Sequence, residues 1–209
     1  MRTILGEDFV AGEPSVMVLG DNIFFGQGFT GLLQQADAQA TGATVFGYAV
    51  RDARRYGVVE LGEDGKVLGI EEKPLQPKSP YAVTGLYFYD GRASELARQL
   101  RPSPRGELEI TALNQLYLDA GDLHVQLLGR GFAWLDTGTH DSLIQAGELV
   151  RTIEQRQDLR IGCLEEIAFR RGWIDRAQLA ALGKAQGSSD YGRYLQTLAA
   201  VEDPDLPIS

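Results

Sequence analysis

The chain has 209 residues, 44% hydrophobic and 23% charged, enough for one large domain or a domain with an appendage. A net charge of −9 argues against nucleic-acid binding, which requires a basic face. The single cysteine, Cys163, excludes a disulfide framework and reads as a small buried apolar residue, and no apolar run approaches the ~20 residues that span a bilayer. No signal-like stretch follows Met1, so the expected location is the cytoplasm, away from membranes.

In chain order, the continuous apolar run Ser15 to Gly20, ending in Gly-Asp-Asn, predicts a buried parallel strand. Leu32, Leu33, Ala36 and Ala40 recur at helical spacing and predict a helix over 29–41, stopped by Gly42. Val, Thr, Phe and Tyr dominate a second strand over 43–50. Strands over 56–61 and 67–72 flank Gly62-Glu63-Asp64-Gly65, a hairpin signal. Prolines 74, 77 and 80 predict an extended loop, after which 82–89 reads as a strand interrupted by Gly85. Helices follow over 92–100 and 109–120, short strands over 123–128 and 132–135, and a helix over 141–153. The remainder is mostly helical, over 165–169, 175–183 and 189–199. The alternation predicts an α/β sheet core over 1–158 and a helical C-terminal appendage over 159–209.

Five segments fall at strand ends or in the loops after them, where open α/β sheets bind ligands. They are Leu19-Gly20-Asp21-Asn22, Arg55-Tyr56-Gly57-Val58-Val59, Glu71-Glu72-Lys73-Pro74, Tyr81-Ala82-Val83-Thr84-Gly85 and Trp134-Leu135-Asp136-Thr137-Gly138-Thr139. Asp21 and Asp136 are a carboxylate pair of the kind that holds Mg²⁺ together with phosphate oxygens. Lys73 supplies a point charge for phosphate, and Glu72 an acceptor for hydroxyls. Each has a plain structural counterpart: an aspartate after a strand also serves as a helix cap, and a loop lysine as a solvated charge. His140 is a candidate to cap or orient the Asp136 loop, and Arg105 to pair with acidic neighbours or sit at a subunit contact.

Taken in this order, and with Ser103-Pro104-Arg105-Gly106-Glu107-Leu108-Glu109-Ile110-Thr111, the segments resemble the sugar-1-phosphate nucleotidyltransferases, in particular the thymidylyltransferases acting on glucose 1-phosphate. The resemblance runs from about Ser15 to about Tyr194. It implies a Rossmann-like mixed sheet of the nucleotidyltransferase type. It also implies attack of glucose 1-phosphate on the α-phosphorus of dTTP, Mg²⁺ assistance, and dTDP-glucose and pyrophosphate as products, feeding dTDP-rhamnose biosynthesis. Asp21 and Asp136 match the family's magnesium-binding aspartates, Lys73 the lysine on the sugar phosphate, and Glu72 the acid on the sugar hydroxyls. Tyr56, Gly57, Val83, Thr84 and Gly85 match the walls of the sugar pocket. In the C-terminal segment, Glu166 and Arg170 match a subunit-interface and regulatory region, with an ordinary solvated helix face as the alternative. Phosphoryl-type transfer of this kind works by positioning and charge stabilisation and needs no protein nucleophile.

The sequence also departs from that family. Met1 to Pro14 holds no Gly-Gly-x-Gly-Thr-Arg-Leu loop, so the chain reads as an N-terminally truncated relative without the amides and arginine that hold a triphosphate. Losing one such arginine costs about a thousandfold in rate, and the expectation is that the chain alone does not turn over usefully. The alternative is a non-catalytic sugar-phosphate-binding or assembly module that docks on a full-length homologue. Without its family neighbour, the strand from Ser15 to Gly20 becomes an exposed apolar edge, and association with another chain or homo-oligomerisation is expected. Gln27, Pro80 and Ala112 stand where relatives carry His-Asp, Asn and Asp.

Overall fold

The computed structural model describes residues 6–201; residues 1–5 and 202–209, the outer ends of the two predicted domains, lie outside the described residues. A short helix α1 (Glu7–Val10) precedes β1 (Ser15–Val18), β2 (Asn22–Phe25), α2 (Phe29–Asp37) and β3 (Ala43–Ala49). A 3₁₀ turn (Ala53–Arg55) leads into β4 (Gly57–Leu61), β5 (Val67–Glu72) and the long β6 (Tyr81–Tyr89). Then come α3 (Ala93–Arg98), α4 (Ile110–Asp119), β7 (Leu123–Leu128), β8 (Ala133–Asp136) and α5 (His140–Gln157). The chain closes with α6 (Leu164–Arg170), α7 (Arg176–Ala185) and α8 (Asp190–Ala200).

This is a mixed α/β architecture. The larger sheet runs β5-β4-β6-β3-β7, with β1 also beside β6. Pairing is antiparallel except for the parallel β3–β7 ladder. Alternation along the strands sends Val45, Val83, Tyr87 and Tyr89 to one face, where Ala93, Ala97, Leu113 and Tyr117 of α3 and α4 cover them. Phe46, Leu86 and Leu128 point to the other face, under Leu32, Leu33 and Ala36 of α2. The β4–β5 hairpin turns where its sequence signal lies: Gly62 N donates to Lys66 O at 2.8 Å, and Gly65 takes the positive φ of 79° that favours glycine.

Three expectations change. The segment from Ser15 is antiparallel to β6 and not a buried parallel strand; Val16 and Val18 stay 51% and 54% exposed while Met17 and Leu19 pack on the core. It is apolar on both faces, but among the described residues only one face is covered and only one edge is paired. The helix predicted over 29–41 ends at Asp37, and Gly42 instead opens β3 at φ 91°, so close to Asp122 O that a Cβ would lie 2.2 Å from it. Finally, β2 is a strand that periodicity did not reveal, and it forms a separate two-stranded sheet with β8.

The chain divides into two compact units within α5, one ending at Ala146 and the other beginning at Gly147. The second has its own core of Cys163, Leu179, Leu195 and Ala199. Among the described residues no helix is long and apolar enough to cross a membrane.

Candidate active site

The β2–β8 pairing positions the two aspartates. Asn22 lies opposite Asp136, which leaves Asp21 at the mouth of the pair, beside the chain leaving β8. Thr137 fastens that end, its backbone N–H and its hydroxyl both donating to Asp21 O, at 2.8 and 2.9 Å. Asp136 Oδ1 accepts from Gly138 N at 2.9 Å. A Cβ at Gly138 would stand 2.9 Å from Asp136 Oδ1 and 3.9 Å from Asp21 Oδ2, so both carboxylates close over this glycine. Asp21 Oδ1 accepts from Asn22 Nδ2 at 2.8 Å. Each carboxylate thus spends Oδ1 on a hydrogen bond, and neither Oδ2 accepts one among the described residues.

Asn22 is tied on its other side as well. Its Oδ1 accepts from Gly85 N at 3.0 Å and from Trp134 Nε1 at 2.7 Å. The Trp134 ring meets Tyr56 at 5.1 Å and Tyr48 at 5.9 Å between centroids. Burial, and then the Asp136 carboxylate, push the Tyr56 phenol above its ordinary value.

From Tyr56 the arc continues into the β4–β5 hairpin. Gly57 pairs with Glu72, and a Cβ on Gly57 would lie 2.9 Å from Thr111 Oγ1, 3.5 Å from Glu72 Oε2 and 3.9 Å from Val83 Cβ. Thr111 donates to Glu72 Oε2 at 2.5 Å. Arg105 Nη2 and Lys73 Nζ approach Glu72 Oε1 at 3.4 and 3.8 Å. Lys73 follows β5 at φ 46°, left-handed for a non-glycine residue, with its N–H bonded to Tyr56 O at 3.0 Å. Arg105 is anchored chiefly by Glu109, at 2.7 Å, and it holds that carboxyl below the usual range against the opposing push of burial. On β6, Val83 and Thr84 are buried, and Thr84 Oγ1 has no hydrogen-bond partner among the described residues.

The structure therefore gathers Asp21, Asp136, Tyr56, Gly57, Glu72, Lys73, Val83 and Gly85 along one arc. At Gly85 the missing Cβ makes room for Asn22, whose side chain would lie 2.6 Å from that atom. His140 is not the cap of the Asp136 loop; Thr139 and Ser142 exchange the capping hydrogen bonds at the start of α5. Arg105 takes the acidic-neighbour alternative. Asn22, Trp134 and Thr111 stood inside the sequence motifs without being singled out. A glycine inside a strand was the one signal for Asn22, since it marks close approach by something. Glu166 and Arg170 lie in the C-terminal unit, paired at 2.9 Å, with Tyr194 OH donating to Glu166 at 2.5 Å. Both are largely buried, so neither belongs to a solvated helix face.

Among the described residues no group of three or more His, Cys, Asp or Glu side chains is placed to hold a metal. Two carboxylates with unspent oxygens nevertheless fit Mg²⁺, which keeps several waters and takes its remaining oxygens from substrate phosphates.

Known proteins resemble this chain in sequence and in fold. The family described as nucleotidyl transferase matches residues 3–152. A glucose-1-phosphate thymidylyltransferase of Xanthomonas campestris pv. campestris (strain B100) is 61% identical over 94% of this chain and 66% of its own length. The protein of the same name from Neisseria meningitidis serogroup A is 56% identical, over 93% of this chain and 68% of its own. The chain spans about two thirds of the length of these curated relatives. A crystal structure from Bacillus anthracis, named for the same activity and holding sucrose, superposes with TM-score 0.62 at 42% identity, over 71% of this chain and 58% of that one. UDP-glucose pyrophosphorylase with UDP-glucose shares the fold, with TM-score 0.57 at 22% identity over 71% of this chain and 60% of its own. With more than half of its residues matched by the family, the chain belongs to the nucleotidyl transferases.

Proposed function

We propose that this chain carries the sugar and metal half of a glucose-1-phosphate thymidylyltransferase site, serving dTDP-sugar (dTDP-rhamnose) synthesis in the cytoplasm. The observation that carries the reading is the continuous arc from the Asp21–Asp136 pair through Trp134 and Tyr56 to Glu72 and Lys73. In the full reaction, a phosphate oxygen of glucose 1-phosphate bonds to the α-phosphorus of dTTP, the α–β phosphoanhydride bond breaks, and pyrophosphate leaves. Glu72, held by Thr111 and on β5, presents its carboxylate to sugar hydroxyls. Lys73, turned out of the strand by its left-handed backbone, places its ammonium against the sugar phosphate. Val83 and Gly57 form the apolar wall beneath the ring, and the buried Thr84 stands behind it. Asp21 and Asp136 would hold Mg²⁺, which when bound neutralises phosphate charge.

These 209 residues contain no glycine-rich triphosphate loop, so for the chain as it stands the expectation is binding without useful turnover. The exposed edge of β1 further favours association with a second chain. Both readings meet in one experiment on the purified chain, which combines calorimetric titration of dTDP-glucose with Mg²⁺ and an assay with dTTP, glucose 1-phosphate and Mg²⁺. Binding that weakens at least tenfold in Lys73→Ala, without turnover, is the expected result. Turnover overturns the account of the triphosphate requirement. Absence of binding overturns the sugar half-site and leaves an assembly module as the reading.

A further inference from the structure

Asn22 makes more contacts at this site than either aspartate, and each has a direction that chemistry fixes. The backbone N–H of Gly85 and the indole N–H of Trp134 are donors only, so both must face the amide oxygen. The amide NH₂ is then forced onto Asp21 Oδ1, at 2.8 Å; rotating the amide by half a turn would break all three bonds at once. Asp21 has no other side-chain hydrogen bond among the described residues and is exposed, so among those residues this bond is what selects its rotamer. Its backbone is fixed separately, through Thr137.

We propose that Asn22 is the positioning residue of the cation site: clamped by Gly85 and Trp134, its amide holds Asp21 Oδ1 and so aims Asp21 Oδ2 at the space over Gly138 that Asp136 also borders. The inference rests on reading Asp21 and Asp136 as a cation site. It goes further by assigning the ordering of that site to a residue that contacts no cation itself. Gly85 belongs to β6, the strand of Val83 and Thr84, and Trp134 to β8, the strand of Asp136. The same amide therefore keeps the metal-binding carboxylate in register with the sugar wall and with its partner carboxylate. Groups that orient a metal ligand from outside the coordination shell are worth about 10–100-fold in metal affinity when removed.

The test uses Mn²⁺ alone as the probe, titrated into the 209-residue chain and followed by electron paramagnetic resonance, with thermal melting in metal-free buffer. Asn22→Asp keeps an oxygen for Gly85 and Trp134, loses the donation to Asp21 and adds a negative charge beside it. A purely architectural Asn22 would leave Mn²⁺ affinity unchanged, or raised by the added charge. The positioning role predicts a loss of about tenfold at an unchanged melting temperature. Trp134→Phe removes one of the two donors that orient the amide while keeping the ring, and a smaller loss is expected. If Asn22→Asp does not fold, this second variant decides, and wild-type affinity in it overturns the proposal. Asp21→Asn separates the two levels of the argument. Weakened binding in Asp21→Asn with wild-type or tighter binding in Asn22→Asp overturns the positioning role and leaves the cation site standing. No Mn²⁺ binding by the wild type, or no effect of Asp21→Asn, overturns the cation site and the inference with it.

Discussion

Asp90, just past β6, shows how single residues hold this fold together. Its carboxylate accepts from Gly42 N at 2.7 Å, Arg92 Nε at 2.9 Å, Arg92 N at 3.0 Å and Tyr117 OH at 2.8 Å. It thereby ties the entrance of β3 to the exit of β6 and to α4. Burial pushes its carboxyl up, but the bonds from Arg92, Gly42 and Tyr117 outweigh burial and hold it below the ordinary aspartate value. Because the folded value is depressed, the stability it contributes is fully present above the unfolded value of about 4 and is lost as pH falls through the folded one. Tyr117→Phe keeps the buried ring but removes one of these bonds. It should cost about 1.5–3 kcal/mol near neutral pH and shrink the acid-side loss, because the folded value moves up toward the unfolded one. Urea unfolding at a series of pH values between about 3 and 7 checks both parts.

At the scale of elements, local signals succeeded where partners are neighbours in the chain. Gly62-Glu63-Asp64-Gly65 announced the β4–β5 hairpin because a turn needs only its own residues, with Asp64 Oδ1 accepting from Lys66 N and Gly65 taking the positive φ. The β2–β8 pair escaped because its strands have four residues each and meet across more than half of the chain, with no turn between them to give them away. For β1, an unbroken apolar run was correctly a strand, but the run says nothing about which edge or face is covered. Among the described residues, Val16 and Val18 project from an uncovered face at an unpaired edge. Val16→Lys together with Val18→Lys should change unfolding free energy by under about 1 kcal/mol while reducing self-association. Light scattering across a concentration series measures the association. A large loss of stability with unchanged particle mass would mean that these side chains are packed within the chain.

For the whole molecule, each compact unit has its own core, and Leu195 is wholly buried at the centre of the second. Leu195→Ala should cost that unit about 2–5 kcal/mol through lost burial and the cavity left behind. Hydrogen exchange is the suitable probe. Faster exchange confined to α6, α7 and α8, with β3 and β6 unchanged, is expected of separately cored units, whereas faster exchange throughout would mean that the chain unfolds as one body. The sequence by itself determined the α/β alternation, the hairpin, the helical C-terminal segment and the motifs that named the chemistry. Those depend on periodicity, turn residues and side-chain type, all written within a few consecutive positions. Only the tertiary structure decided that Asp21 and Asp136 share one mouth, that Gly85 is small for the sake of Asn22, and that Thr111 and Arg105 close around Glu72. Each of those contacts joins strands or helices far apart in the chain, and such pairings are selected by packing the whole sheet and its covering helices at once, not by any local run of residues.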